Sequence, residues 1–291
     1  MSKRFHLWLQ DRVYYDHLAM DNPARKRMIQ YLNILDPQDT ISILDLGSGT
    51  GASVIHFAHV LPSSFTIILV DRDIQSLQGF GDLVKIHLPD HSISSLDDST
   101  HILTGEDREI TVILKEGEIL EEVPDLDGID LISANAVFDL FTKEAFQQVV
   151  NKTSDVPVYF TLNYCGSELV STRPDQLSSN FFVERYDGHM QRVQPFGAAM
   201  GAECCTIMLS ILRQFYSDVN SGRSDWELSS GDSLTPHLLW FMEQALPDVL
   251  NEDEMTQFST WKNEMIGSEK YLWKILHQDF FAMTSHTFIK S

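Results

Sequence analysis

The sequence predicts an α/β fold with a mostly parallel sheet, and three observations carry that prediction. Apolar runs of strand length alternate with helical stretches from Ile41 to Tyr164. The first of those runs leaves through a glycine-rich turn, "ILDLGSGTGAS", Ile43 to Ser53. Beyond Tyr164 the rhythm changes to longer helical patterns, with a helical insertion at about residues 232–268.

Each element follows from its own pattern. Residues from Trp8 to Leu35 read as helical, ended by "DPQD", so that residues 1–40 form an N-terminal helical lid on a domain spanning 41–291. Ile41–Leu46 is the first strand, and Val54–Val60 is a helix closed by "LPSS". "FTIILVDRD" is the second strand and ends in Asp71, while "HSISSLDDSTH" reads as a surface loop. "ITVILKEGEI" is a strand with Glu116 and Glu118 at its exit. "IDLISANAVFDLF" is a strand running into a helix, and "VPVYFTLNY" is the fifth strand. A loop-rich stretch then leads to Pro195, and "GAAMGAECCTIMLSILRQFYSDV" is a long buried helix. "SDWELS" is a sixth strand, followed by amphipathic helices at "TPHLLWFMEQALPDVL" and "EDEMTQFSTWKNEMI". "KYLWKILHQDFFAMTSHTFIK", rich in aromatic and β-branched residues, supplies one or two final strands.

Composition narrows the function. The 291 residues, 43% of them hydrophobic, suffice for a packed core. A net charge of −21 repels a nucleic-acid backbone, and the one dense basic cluster, "ARKRM", reads as a solvated helix face. No apolar run has the length of a membrane span, and charges break the N-terminal segment too early for a signal peptide. Cys165, Cys204 and Cys205 have no metal-ligand spacing, which points to core packing in a reduced, cytoplasmic setting. No spacing calls for a metal.

The glycine turn decides the ligand class. Gly47, Gly49 and Gly51 let the backbone approach a ligand, since no Cβ intervenes. "GSGTGA" also satisfies the dinucleotide pattern G-x-G-x-x-G/A, so an NAD-dependent oxidoreductase is one reading. A pyrophosphate, however, wants free amide groups facing a double anion, and Asp45, two residues before the first glycine, opposes that. The same carboxylate suits an ammonium group. Asp71, ending the next strand, suits both hydroxyls of a ribose. An ammonium and a ribose without a pyrophosphate describe S-adenosylmethionine.

"LDLGSGTG" followed by "LVDRD" resembles the first two motifs of class I S-adenosylmethionine-dependent methyltransferases. "EGEIL" is similar to their third motif and "DLISANAVFDL" to their fourth, in the same order, over about residues 41–164. The resemblance implies a Rossmann-like, doubly wound sheet of seven strands with a reversed last hairpin and a helical elaboration on the substrate side. It also implies Glu118 near the adenine amino group and Ile119 against the ring. The remainder resembles a bacterial group within that superfamily. That likeness rests on Tyr15-Asp16, on "HMQRVQPFG" with His189, Phe196 and Gly197, and on "LHQDFFA" with His277 and Asp279. The chain departs from the group at Met190 and at Gln194-Pro195.

Several residues carry more than one reading. Arg72 either covers the adenine edge or is a solvated arginine, and Asn135 either touches cofactor or substrate or caps the next helix. Asp139 reads as a carboxylate favoured by a helix dipole. His189, in an expected irregular loop, is the candidate catalytic base or a substrate-positioning residue. His277 alternates within an apparent strand and can simply pair across the sheet. Tyr15, Tyr164 and Gln191 are the candidate substrate contacts, with Tyr14 a further aromatic beside them. The expected function is methyl transfer to a small molecule. A non-catalytic S-adenosylmethionine-binding protein remains the third reading.

Overall fold

The computed structural model describes residues 3–35, 40–122, 126–171, 176–194, 197–229, 231–266 and 271–284. Two helices, α1 (Lys3–Ala19) and α2 (Pro23–Leu32), precede the sheet. The parallel part alternates as expected. It runs β1 (Ile41–Leu46), α3 (Ala52–Val60), β2 (Phe65–Asp71), α4 (Ile74–Leu77) and α5 (Phe80–His87). A hairpin of β3 (Ser92–Ser95) and β4 (Thr100–Thr104) leads to β5 (Glu109–Glu116), α6 (Ile119–Glu122) and β6 (Leu131–Asn135). Next come α7 (Lys143–Thr153), β7 (Val158–Ser171), α8 (Gln176–Met190), the short pair β8 (Val193–Gln194) and β9 (Gly197–Ala198), and α9 (Cys204–Phe215). The chain continues through β10 (Asp218–Arg223), β11 (Trp226–Ser229), α10 (Thr235–Ala245), α11 (Glu252–Ile266) and β12 (Tyr271–Met283).

The sheet order is β10-β12-β7-β6-β1-β2-β5-β4-β3, with β11 pairing β12 beside β10. From β5 to β7 the strands are parallel, and β12 runs antiparallel between β7 and β10. This is the predicted seven-stranded, doubly wound core with its reversed strand. Period-two alternation sends successive residues of β1 to opposite faces. Ile41 and Ile43 pack with α2, α3 and α5, whereas Leu44 and Leu46 pack with α7 and α9. Both faces are covered, so the strands are continuously apolar. The long strands β7 and β12 run past the parallel sheet. There Leu169, Trp273 and Ile275 meet α1, α8, α10 and α11 in a third apolar cluster.

Five expectations change. The long helix expected over "GAAMGAECCTIMLSILRQFYSDV" covers only Cys204–Phe215, because its first residues pair as β9 and its last begin β10. The single N-terminal helix is two, because Asn22 precedes Pro23: its Oδ1 accepts from the amides of Ala24 and Arg25 at 3.0 and 3.3 Å and starts α2 afresh. The "DPQD" expected to end it lies outside the described residues, as do Pro195, Phe196 and the tail beyond Thr284. "HSISSLDDSTH" is a hairpin, not a loop, since β4 pairs antiparallel with β5 and Asp97 gathers the turn amides of Ser99 and Thr100. The loop-rich stretch before Pro195 contains the 15-residue helix α8. The cysteines are not all reduced. A β-bulge in β7 turns Cys165 toward the first turn of α9, where it forms a disulfide with Cys205, leaving Cys204 as a buried thiol.

Asp279 fastens these layers together. It is fully buried and accepts three hydrogen bonds: from the Leu162 amide at 2.7 Å, Asn22 Nδ2 at 2.6 Å and Ser224 Oγ at 2.5 Å. Gly222 pairs with Asp279 across β10 and β12, and a Cβ there would stand 2.6 Å from Asn22. Only glycine lets the α1–α2 junction reach the carboxylate.

Burial pushes the Asp279 carboxyl up to about 6. The folded chain therefore holds this proton more tightly than the unfolded chain, and stability falls as pH rises between about 4 and 6, by on the order of 3 kcal/mol. In urea unfolding, the advantage of wild type over Asp279→Asn should shrink between about pH 4 and about pH 6 and then level off. A gap independent of pH would mean that this carboxyl does not titrate there. For the disulfide, alkylation of denatured but unreduced protein should label one cysteine, and labelling of all three would mean the pair is open.

Candidate functional site

The carboxyl ends of β1, β2, β5 and β6 open onto one cavity of about 680 Å³. At its floor the chain leaves β1 through a turn in which Gly47, Gly49 and Gly51 have φ of +68°, +54° and +77°. A Cβ on Gly47 would stand 2.8 Å from Val137 Cγ2, so both conformation and space require glycine there. The turn is tied to β2: the amides of Gly47 and Ser48 donate to the Val70 carbonyl at 2.8 and 3.0 Å. The Gly49 amide donates to Asp71 Oδ2 at 2.8 Å, while Asp71 Oδ1 accepts from the Asp73 amide at 2.9 Å.

Asp45 is 1% exposed and lines this floor. Its Oδ2 accepts from Ser53 Oγ at 2.6 Å, but its Oδ1 is buried and has no donor among the described residues. Burial pushes its carboxyl up, against the lowering effect of nearby hydroxyls. Arg72, Glu118, Ile119 and Asn135 line the same cavity, with Ile119 buried and Arg72 and Glu118 exposed at the rim. Gly51 does not line it. It holds α3 close to the sheet, where a Cβ would stand 2.9 Å from Leu69 Cδ1.

The cavity continues beneath α1 and α10. Arg12 Nε donates to Asp16 Oδ2 at 2.9 Å and its Nη2 reaches Asn135 Oδ1 at 3.3 Å, joining α1 to the end of β6. Its guanidinium lies 5.8 and 5.2 Å from the ring centroids of Trp8 and Trp226. Asp16 is buried; desolvation pushes its carboxyl up, and Arg12 opposes that shift. Sequence reading missed Arg12. Its one signal is the i,i+4 spacing to Asp16 on the same helix.

The acceptor-side candidates divide. Tyr164 lines the cavity, and its hydroxyl donates to Asp187, which also accepts from the Ser167 amide and hydroxyl. Burial, followed by the Asp187 charge, pushes the Tyr164 hydroxyl well up. His189 also lines the cavity, but from the last turn of α8 and not from an irregular loop. Its Nε2 lies 3.1 Å from Asp248 Oδ2 and its Nδ1 2.5 Å from Arg192 Nη1, so both ring nitrogens face a partner. Tyr15 does not line the cavity; its hydroxyl donates to Asp232 at 3.0 Å and ties α1 to the segment before α10. Gln191 is exposed beside Gly201, and Tyr14 is exposed as well. His277 lines the cavity, and burial holds it neutral by pushing it down to about 3.

No protein-family model matches the sequence, and no curated protein matches it. Among solved structures the chain is similar to the Haemonchus contortus phosphoethanolamine N-methyltransferase 2, in complex with phosphomonomethylethanolamine and S-adenosylhomocysteine. That pair shares 13% identity over 98% of this chain and 61% of that one, at a TM-score of 0.38. The chain thus spans about three-fifths of that enzyme's length. It is similar also to a coclaurine N-methyltransferase bound to N-methylheliamine and S-adenosylhomocysteine (16% identity, 88% and 70% of the two chains, TM-score 0.39). A third is a geranyl diphosphate methyltransferase in complex with S-adenosylmethionine (11% identity, 87% and 83%, TM-score 0.37).

Proposed function

We propose that the chain is an S-adenosylmethionine-dependent methyltransferase acting on a small-molecule acceptor. One observation carries this reading: the Asp45 Oδ1 atom, buried at the cavity floor with no donor among the described residues. An ammonium group supplies the missing donor, whereas a pyrophosphate would bring two negative charges against the same carboxylate. Asp71 supports it, because each of its oxygens uses one acceptor position on a backbone amide and keeps another for a ribose hydroxyl. The cavity also runs on from this floor to Tyr164 and His189. An acceptor chamber joined to the cofactor site favours an enzyme over a non-catalytic binder.

When bound, S-adenosylmethionine supplies a methyl group already activated on a sulfonium. The chain's part is to hold an acceptor in line with it and exclude water, and such positioning contributes up to about 7–11 kcal/mol. Helix α1 acts as the lid, with Arg12 held against Asn135. His189, with both nitrogens engaged, is read as a positioning residue before a base.

Calorimetry with S-adenosylhomocysteine and NADH tests the cofactor reading: the first should bind and the second should not. Asp71→Ala, checked for folding by circular dichroism, should bind S-adenosylhomocysteine at least about tenfold more weakly, since a hydrogen bond to a charged acceptor contributes about 1.5–3 kcal/mol. NADH binding without S-adenosylhomocysteine binding would overturn the reading. His189→Ala should keep cofactor affinity and raise KM for any acceptor turned over. A loss in kcat of about 10²–10⁴-fold that shrinks with rising pH would make His189 the base instead.

A further inference from the structure

Past the cofactor floor, the charges that line the cavity are almost all matched. Arg12 is committed to Asp16 and Asn135, and Arg192 lies against His189, which in turn faces Asp248. His277 is neutral. The exception is Asp139, on the single 3₁₀ turn Phe138–Leu140 that follows β6. The residue is 7% exposed and lines the cavity, and its carboxylate accepts no hydrogen bond from any other described residue. Phe138 before it is fully buried among Phe141, Phe146 and Phe160, which fixes the turn and directs the next residue to the cavity side. Phe141, two residues on, and Tyr186, whose hydroxyl is pushed up by burial and then by the Asp139 charge, line the cavity beside it.

Resting on the methyltransferase reading, we propose that Asp139 binds the acceptor and that the acceptor is an amine carried on an apolar or aromatic body. A buried carboxylate without a partner penalises a carboxylate or phosphate acceptor and favours a cationic nitrogen, which aromatic faces also attract. Burial raises the Asp139 carboxyl to about 6, against the lowering effect of its own backbone amide and of the Arg12 charge, which makes no hydrogen bond to it. That suits a group that must take a proton from nitrogen. The ammonium form of the acceptor gives its proton to the Asp139 carboxylate, which frees the nitrogen lone pair. The lone pair then forms the new N–C bond to the methyl carbon as the C–S bond breaks. The C–S electron pair stays on sulfur, giving the neutral thioether, and the positive charge returns to nitrogen beside the aromatic walls.

Three probes with one aromatic body separate the charge classes: 2-phenylethylamine, 2-phenylethanol and 3-phenylpropanoate, titrated into the full chain with and without S-adenosylhomocysteine. The amine should bind at least about tenfold more tightly than the alcohol, and the carboxylate should not bind. In Asp139→Asn the amine and the alcohol should bind alike while S-adenosylhomocysteine affinity is kept. Equal binding in wild type, a preference for the carboxylate, no binding of any probe, or an amine preference that survives in Asp139→Asn would each overturn the proposal. The wild-type comparison needs no variant to fold. Amine selectivity without S-adenosylhomocysteine binding would overturn the cofactor reading alone, and the reverse result would overturn the amine site alone.

Discussion

The buried Asp279 carboxylate is the constraint on which the rest of the architecture depends. Three segments meet on it: the junction between α1 and α2 through Asn22, the bulged middle of β7 through the Leu162 amide, and the β10–β11 turn through Ser224. That junction adds to the hydrogen bonds that already hold α1 against the rest of the fold, from Arg12 to Asn135 and from Tyr15 to Asp232. With it, the helix that carries Trp8, Arg12 and Asp16 begins from a fixed point, and the cavity gains a wall. A buried carboxylate is costly unless its oxygens are satisfied, and three donors satisfy this one.

The cavity contrasts with the strongly acidic chain around it. A net charge of −21 keeps the surface hydrated, but inside, charge is held in separate, specific places. Asp45 and Asp71 stand at the floor, and Arg12 and Asp139 line the same cavity. Arg12 lies against the edge-packed Trp8 and Trp226 indoles and is held by Asp16 and Asn135, so its charge is fixed in direction. The Arg12 charge lowers the Asp16 and Asp139 carboxyls, against the burial that raises both.

Much of the floor was legible in the sequence because it is local. The strand, the three glycines and Asp45 lie within eleven residues, and Asp71 is set by the register of β2 beside β1. The far side of the cavity was less legible because its residues converge from α1, α8, α10 and the first half of β12. Helix α8 was hidden by "SSNFFVERYDGHM", whose apolar residues form no clear stripe and which carries Gly188 near its end. The Cys165–Cys205 pair joins positions 40 residues apart and depends on a bulge, which spacing alone does not reveal. Arg12 has no motif. It becomes visible only when α1 is laid against β6.

The cavity wall is also where the backbone departs from ordinary geometry. Ala136 and Leu162 both have a φ of +52°, a left-handed conformation disfavoured for any residue with a side chain, and both line the cavity. They are joined by a single peptide unit. The Thr161 carbonyl accepts from the Ala136 amide at 2.9 Å, and the amide on the other side of that bond, Leu162 N, donates to Asp279. The exit of β6, which presents Asn135 and leads to Asp139, is thereby coupled through one rigid plane to the buried carboxylate. Releasing Asp279 would free that peptide to rotate, and both strained residues could then relax together. The carboxylate that holds α1 in position also holds the end of β6 in the conformation the cavity requires.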